Sequence, residues 1–280
     1  MRNLLLVIVS FLLFTSCGTN NEVTVGTFNI AWLGDGINDK EPRDKVDLDN
    51  ISQVIRTINP DILALQEVEN VAAIQRVIDT SYYNIITSSY PKEQKTALII
   101  NKNIEILNTY QMDELSLGNK DLRPGILAYC NFEGFDFLVG SFHFKSTSRY
   151  DDTPFKKSRS FDIRQEQSTT LLSEIEKLVR KHNDRDIILL GDFNDNPLKK
   201  NSNITALEND DFDFLTSSLM SCKYSIWKSI DHIIVSQSMK EKAILPSLNM
   251  IDINTMFPEE KAKKISDHCP VIVKFNLNNN

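Results

Sequence analysis

Apolar positions along this chain switch between two spacings, and each switch marks an element. Glu22 to Ile30 alternates apolar and small or polar residues, which predicts a strand ending near Asn29. Ile51, Val54, Ile55 and Ile58 follow at helical spacing, and Pro60 closes that helix. Asp61 to Leu65 reads as a buried strand that delivers Gln66 and Glu67 at its end. A helix over about 69–79 carries Val71, Ile74, Val77 and Ile78 on one face. Strands are then predicted at Tyr83–Ile86, Thr96–Ile100, Ile104–Tyr110, Ile126–Phe132 and Phe135–Phe144. A polar loop is expected over 145–163. A long helix over about 164–182 has Leu171, Leu172, Ile175, Leu178 and Val179 on one side. Ile187-Ile188-Leu189-Leu190 is a strand buried on both faces that ends in Gly191-Asp192-Phe193-Asn194. Phe212–Thr216, Ile230–Ser236, Leu248–Ile253 and Val271–Phe275 complete the strand signal. Many strands with three or four helices between them, and no tandem repeat, predict an α/β domain with mixed sheets.

Composition narrows this picture modestly. The chain has 280 residues, 41% hydrophobic and 25% charged, with no Pro/Gly/Ser-rich linker, so one domain over 23–280 is expected. The net charge of −7 argues against nucleic-acid coating by the whole surface, but it leaves room for a local basic cleft and for a carboxylate-rich metal site. The start of the chain stands apart. Met1-Arg2-Asn3 is followed by an apolar run from Leu4 to Phe14, too short to span a bilayer. Leu13-Phe14-Thr15-Ser16-Cys17 then resembles a bacterial lipoprotein signal. This implies a signal peptide over 1–16, a lipid on Cys17, a tether over 17–22, and an exported protein held at the cell envelope. A plain signal peptide with an incidental cysteine is the alternative. Cys130, Cys222 and Cys269 remain, of which at most two can pair; no spacing selects the pair or suggests zinc.

Two buried strands that both end in carboxylates suggest a shared rim. Glu67 closes one; Asp192 and Asn194, two apart, close the other. A hard cation such as Mg²⁺ takes oxygen ligands of this kind, together with water and substrate phosphate. Each residue also has a plainer reading: Glu67 as a first-turn helix acid, Asp192 and Asn194 as turn formers, Asp195 and Asn196 as the turn that leads the chain away. Four histidines sharpen the question. His182 sits at a helix end, where a cation suits the dipole, and is given no catalytic role. His143 ends a strand just before Lys145, Asp231-His232 opens one, and His268 lies in Ser266-Asp267-His268. Taken alone, Asn29, Arg123 and Asp231 read as a strand-end turn, a surface cation and a strand-start acid.

Taken in order, these segments resemble the endonuclease/exonuclease/phosphatase superfamily, the deoxyribonuclease I-like fold. The resemblance rests on Thr27-Phe28-Asn29-Ile30, Leu65-Gln66-Glu67-Val68, Arg123-Pro124, His143-Phe144-Lys145-Ser146, Gly191-Asp192-Phe193-Asn194, Ile230-Asp231-His232-Ile233 and Ser266-Asp267-His268. It implies a four-layer α/β sandwich, with two mixed β-sheets packed face to face and the cleft along one edge. It also implies metal-dependent phosphoester hydrolysis, normally with Mg²⁺, with Mn²⁺ or Ca²⁺ as alternatives. Glu67 would be the main metal ligand, with Asn29 and Asp267 close by. Asp192 and Asn194 would position water and phosphate. Asp231 would orient His268, His143 would be a general acid, and Asn29 and Arg123 would bind phosphate. A carboxylate partner for His143 is expected at Glu93, or Gln94 if the register shifts by one.

The stretch 145–164 holds Lys145, Arg149, Lys156, Lys157, Arg159 and Arg164, with Tyr150 and Phe155, diluted by Asp151, Asp152 and Asp162. A basic loop with aromatics beside a catalytic histidine favours a nucleic-acid backbone as substrate. The leading expectation is therefore a monomeric, lipid-anchored endonuclease acting on DNA, and on RNA as a further substrate. Hydrolysis of phospholipid headgroups or of inositol or sugar phosphates is the first alternative. An inactive binding protein of the same fold is the second, and the full set of polar residues argues against it.

Overall fold

The computed structural model describes residues 21–147 and 151–278. The expected signal segment, Cys17 and most of the tether lie outside the described residues. Among the described residues no helix is long and apolar enough to cross a membrane.

Two six-stranded sheets form the frame. The first contains β1 (Glu22–Leu33), β2 (Ile62–Val68), β3 (Tyr83–Thr87), β4 (Lys95–Asn101), β11 (Ala243–Met250) and β12 (Val271–Asn276), in the order β11-β12-β1-β2-β4-β3. The second contains β5 (Glu105–Met112), β6 (Gly125–Phe132), β7 (Phe135–His143), β8 (Ile187–Asp192), β9 (Phe212–Phe214) and β10 (Asp231–Ser236), in the order β5-β6-β7-β8-β10-β9. Each sheet has one parallel pair, β1 with β2 and β7 with β8; the other pairings are antiparallel. Both parallel pairs are joined by a crossover helix, as parallel strands require. These helices are α1 (Lys45–Ile58) and α3 (Pro154–His182). Shorter helices are α2 (Val71–Gln75), α4 (Gln237–Lys242), α5 (Ile253–Met256) and α6 (Glu259–Ile265).

Side-chain alternation explains the layering. Val23, Val25, Ile62, Ala64, Val139, Ile188, Leu190, Ile233 and Val235 meet between the sheets. Their strand neighbours point the other way. Phe28, Ile30, Leu63 and Leu65 pack beneath Ile51, Val54, Ile55 and Ile58 of α1 and Ile265 of α6. Leu138, Phe142, Ile187, Leu189 and Ile234 pack beneath Leu171, Ile175 and Val179 of α3. The result is the expected four-layer α/β sandwich of two mixed β-sheets.

Several element boundaries differ from the sequence reading. The long helix begins ten residues early, because Thr153 caps it by accepting from Lys156 N and Pro154 occupies the first turn, where its missing N–H costs nothing. Residues 154–163 are therefore helical, not loop. The expected helix over 69–79 contracts to Val71–Gln75. The strand expected at Leu248–Ile253 starts earlier, at Ala243, and Ile253 opens α5 instead. The cysteines are also resolved: Cys222 and Cys269 form a disulfide with Cα atoms 6.1 Å apart, and Cys130 is free and buried.

Candidate active site

The same alternation that builds the core builds the site. On the inter-sheet face, Val23 and Val25 are followed by Thr27 and Asn29, and Ile188 and Leu190 by Asp192. Val139 is followed by Ser141 and His143, and Asp231 precedes Ile233 and Val235. At one end the space between the sheets therefore changes from apolar to polar. Thr27 donates to Gln66 at 3.2 Å, Gln66 donates to Ser141 at 3.3 Å, and Ser141 donates to Leu65 O at 3.3 Å, all buried. This polar chain was not expected from sequence. It ties the two sheets together directly beneath the site, where unpaired polar groups would be costly.

Strand register then places the chemistry. His143 is the register partner of Asp192 across the parallel pair, and Asp231 is the partner of Asp192 on the other side. Gly191 makes this possible, since a Cβ there would stand 2.0 Å from Phe142 O. In the first sheet the pairing shifts on both sides of Glu67, a bulge at which Glu67 takes φ 60°. Such backbone is uncommon for a non-glycine residue and re-aims the carboxylate.

Asn29 links the two sheets. Its Oδ1 accepts from Ala31 N at 3.0 Å, so its Nδ2 faces the acids. Nδ2 donates to Asp192 Oδ2 at 3.1 Å and to Glu67 Oε1 at 3.4 Å. Asp192 Oδ1 accepts from Asn194 N at 2.9 Å, and Asn194 Nδ2 donates to Phe144 O at 3.1 Å. His143 Nε2 lies 3.5 Å from Asp192 Oδ2 and 3.9 Å from Glu67 Oε1. His268 Nδ1 contacts both Asp231 oxygens, at 2.8 and 3.0 Å, and its Nε2 lies 3.9 Å from Asp192. Ser266 fixes this segment by donating to Asn29 O at 2.7 Å and accepting from His268 N at 3.0 Å.

The electrostatics separate the two histidines. Burial opposes charge on His268, but Asp231, through its charge and hydrogen bond, followed by Asp192 and Asp267, pushes its pKa up to about 10. Burial drives His143 well below its ordinary value, assisted by Arg123 and His268, so it is neutral at pH 7. Among the described residues its Nδ1 has no hydrogen-bond partner. The expected partner is not in place: Glu93 is exposed, and Gln94 accepts from Arg123 Nη2. Burial and the charge of Asp231 raise Asp192, while His268 opposes the rise.

Other expected residues shift role. With no ion bound, Asn29 presents its amide nitrogen to the acids, and its oxygen accepts from Ala31 N. Arg123 is half-buried behind the acids: its Nη2 donates to Gln94 Oε1, and Glu67 and Asp192 are among the negative charges that face it. Asp267 stands on the rim and pairs with Lys223 at 2.8 Å. Arg164, counted with the basic loop, is buried and donates to Lys145 O and Thr147 Oγ1. Lys145 itself pairs with Asp151 at 3.2 Å. Asp195 and Asn196 are structural, as read: Asn196 Nδ2 donates to Ser217 O and Ser229 O.

Above these groups lies a cleft of about 360 Å³, lined by Glu67, His143, Asp192, Asn194 and His268, with Trp32, Lys263 and Lys264 on its walls. The donor set suits a hard divalent cation. Glu67 and Asp192 offer converging carboxylate oxygens, both in contact with Asn29 Nδ2.

The model of the Endonuclease/Exonuclease/phosphatase family matches residues 26–268. The chain belongs to that family. Its members are phosphoesterases, which is the chemistry these carboxylates and histidines suit. A comparison with curated protein sequences finds no match. Among solved structures, the human Nocturnin catalytic domain has 18% identity and a TM-score of 0.66, covering 93% of this chain and 96% of that one. Truncated Caenorhabditis elegans TDP2 has 16% identity and a TM-score of 0.67, covering 91% and 97%. A Bacteroides thetaiotaomicron mannosyl-6-phosphatase has 17% identity and a TM-score of 0.60, covering 90% and 98%. At these identities the likeness is one of fold.

Proposed function

We propose that this chain hydrolyses phosphodiester bonds of nucleic acid with a divalent metal, Mg²⁺ first and Mn²⁺ or Ca²⁺ as substitutes. One observation carries the reading: the Asp231–His268 pair converges with Asp192, Glu67 and His143 at the floor of a single cleft. Glu67 would be the main holder of the metal, with Asp192 beside it and Asp267 on the rim; when bound, it supplies positive charge against the phosphate oxygens. His268, kept charged by Asp231, donates from Nε2 to a phosphoryl oxygen and stabilises the charge that develops there. Asp192, with Oδ2 between His143 and His268 at the cleft floor, accepts the proton of the attacking water. Asn29 and Asn194 N fix that carboxylate by two hydrogen bonds. His143, neutral and buried, offers the leaving oxygen a hydrogen bond from Nε2 and keeps its own proton, so the leaving oxygen is protonated from solvent in the cleft.

Nucleic acid is favoured by the cleft walls. Lys263 and Lys264 flank it, and Lys40 stands 3.2 Å from the centroid of the Trp32 ring. Cation and aromatic together suit a polyanion that carries bases. A sugar phosphate is the second reading. A cleft of about 360 Å³ also fits one phosphorylated sugar, the substrate in the name of the mannosyl-6-phosphatase of similar fold.

The location belongs to the same proposal: export, lipid on Cys17, and a tethered monomeric enzyme at the cell envelope. The Cys222–Cys269 disulfide supports an oxidising compartment. Plasmid nicking by residues 18–280 with Mg²⁺, Mn²⁺ or chelator tests the activity. His268→Ala and Asp192→Ala should each lower kcat at least about a hundredfold. Hydrolysis of mannose 6-phosphate or inositol phosphates without any nicking overturns the nuclease reading. Cys17→Ser should move the full chain from the membrane to the soluble fraction of the cell envelope; unchanged membrane association overturns the anchor.

A further inference from the structure

One apolar surface near the site is not used by the chemistry above. The segment between β9 and β10 folds back on itself as a short loop. Met220 bridges to Lys228, and Ser229 N donates to Leu219 O at 2.9 Å. At its tip Trp227 N donates to Tyr224 O and Ser221 N donates to Trp227 O, both at 2.8 Å. The turn holds the Tyr224 and Trp227 rings 4.6 Å apart. Both are unusually open for such side chains, Tyr224 at 46% and Trp227 at 59% exposure, and the adjacent Ile226 reaches 83%. Contiguous exposed apolar surface of this kind marks an interaction site.

Two features connect the loop to the catalytic groups. Tyr224, Trp227, Asp231, Asp267 and His268 line one cavity of about 180 Å³, and Asp267 and His268 also line the catalytic cleft, so the two spaces lie side by side across these residues. The loop is also fixed to the same strand end twice. Cys222 is bonded to Cys269, the residue after His268, and Lys223 pairs with Asp267, the residue before it, at 2.8 Å. A loop tip with neither link would be free to swing; here its distance from His268 is set covalently.

We propose that Tyr224 and Trp227 form a stacking subsite for a base next to the scissile phosphate, and that the Cys222–Cys269 disulfide positions it against His268. This rests on the nucleic-acid reading and adds the part of the substrate held beyond the phosphate. A cavity of about 180 Å³ has the size for a flat ring; Tyr224 and Trp227, packed on each other at a tilt of 48°, form one side of it, and Lys223 and Lys228 stand alongside for the backbone. Stacking is indifferent to base identity, so the subsite selects for the presence of bases and not for a sequence.

The test compares an oligothymidylate with a strand of equal length whose sugars carry no bases. The wild-type KM for the oligothymidylate should be about tenfold lower than for the base-free strand. Trp227→Ala with Tyr224→Ala should remove that difference by raising KM on the oligothymidylate, with kcat on the base-free strand within about twofold of wild type. Tris(2-carboxyethyl)phosphine transfers two electrons to the disulfide, giving two thiols and the phosphine oxide once water is included. It should raise KM in wild type and leave the double variant unchanged. With chelator present, oligothymidylate should quench the tryptophan fluorescence of wild type more than that of Trp227→Ala, which reads binding without turnover; equal quenching overturns the subsite.

The failures are separable. No cleavage of either strand overturns the nuclease reading and the subsite with it. Cleavage of both strands with KM unaffected by the aromatic substitutions overturns the subsite alone. Loss of binding to anionic phospholipid vesicles in the double variant, with KM for the oligothymidylate unchanged, assigns the patch to the membrane and also overturns it.

Discussion

Asp231 acts at single-residue scale, and its effect can be read directly. It raises the His268 pKa to about 10 against the cost of burial. That pair stabilises the fold fully below the unfolded histidine value of 6.5, and the contribution is lost as pH rises through about 10. Asp231→Asn should therefore lower the His268 pKa by more than one unit in an NMR titration of the metal-free protein, and lower kcat by about 10² or more. A His268 pKa unchanged by the substitution would remove Asp231 from its positioning role. His232, the next residue, faces the other way and behaves oppositely. It contacts Thr216 Oγ1 at 2.8 Å and Asp195 O at 2.9 Å, and burial lowers its pKa to about 4. The unfolded chain takes up that proton first, so stability is full above about 6.5 and falls as pH drops toward 4, by about 3 kcal/mol. His232→Gln should flatten urea-melt stability between these pH values; an unchanged pH slope would exclude His232 as the source. From sequence, His268 and Asp231 were legible as candidates because each belongs to a recognisable local motif. Arg164 was misread because its charge suggests substrate, whereas its partners, Lys145 O and Thr147 Oγ1, become neighbours only after α3 docks.

At the scale of elements, the two parallel pairs do most of the positioning. β1 and β2 carry Asn29 and Glu67 in their C-terminal halves, and β7 and β8 end on His143 and Asp192. Crossover connections force this arrangement, because both strands of a parallel pair must end on the same side. The close fit of β8 against β7 depends on Gly191, whose φ is 152° and whose added Cβ would lie 2.0 Å from Phe142 O. Gly191→Ala should destabilise the protein by about 3 kcal/mol or more, measured as a shift in the urea midpoint, and reduce activity in the fraction that folds. Stability within about 0.5 kcal/mol of wild type would mean that the strands can separate at no cost. Helix boundaries were less legible. Thr153-Pro154 is a sound helix start, but the charged residues after it hid the first turns of α3, because solvent-facing helix and polar loop share a composition.

Across the whole molecule, the site is assembled from segments that are distant in sequence: Asn29 and Asp192 are separated by 163 positions, and Ser266 reaches Asn29 across 237. One covalent link spans part of this distance, the Cys222–Cys269 bond with a separation of 47 residues. Cys222→Ser with Cys269→Ser should lower unfolding free energy by about 2–4 kcal/mol through the freer unfolded chain. Equal stability of the double variant and the oxidised wild type would show that the bond serves only the loop beside His268.

The sequence by itself determined the element types and the parity of residues along each strand. Alternation in Val23-Thr24-Val25 marks the buried face of its strand, whereas Ile188-Leu189-Leu190 and Ile233-Ile234-Val235 are apolar throughout, so sequence gives their parity and only the structure says which parity meets between the sheets. Extending that parity to Asn29, Asp192 and Asp231 puts them on the same face, because alternation is a local property of extended backbone. Only the tertiary structure decided the strand order, the bulge that turns Glu67, the amide of Asn29 donating to two acids, and the pairing of Cys222 with Cys269. These depend on contacts between segments far apart in the chain, and no local pattern encodes which distant partner a strand end will meet.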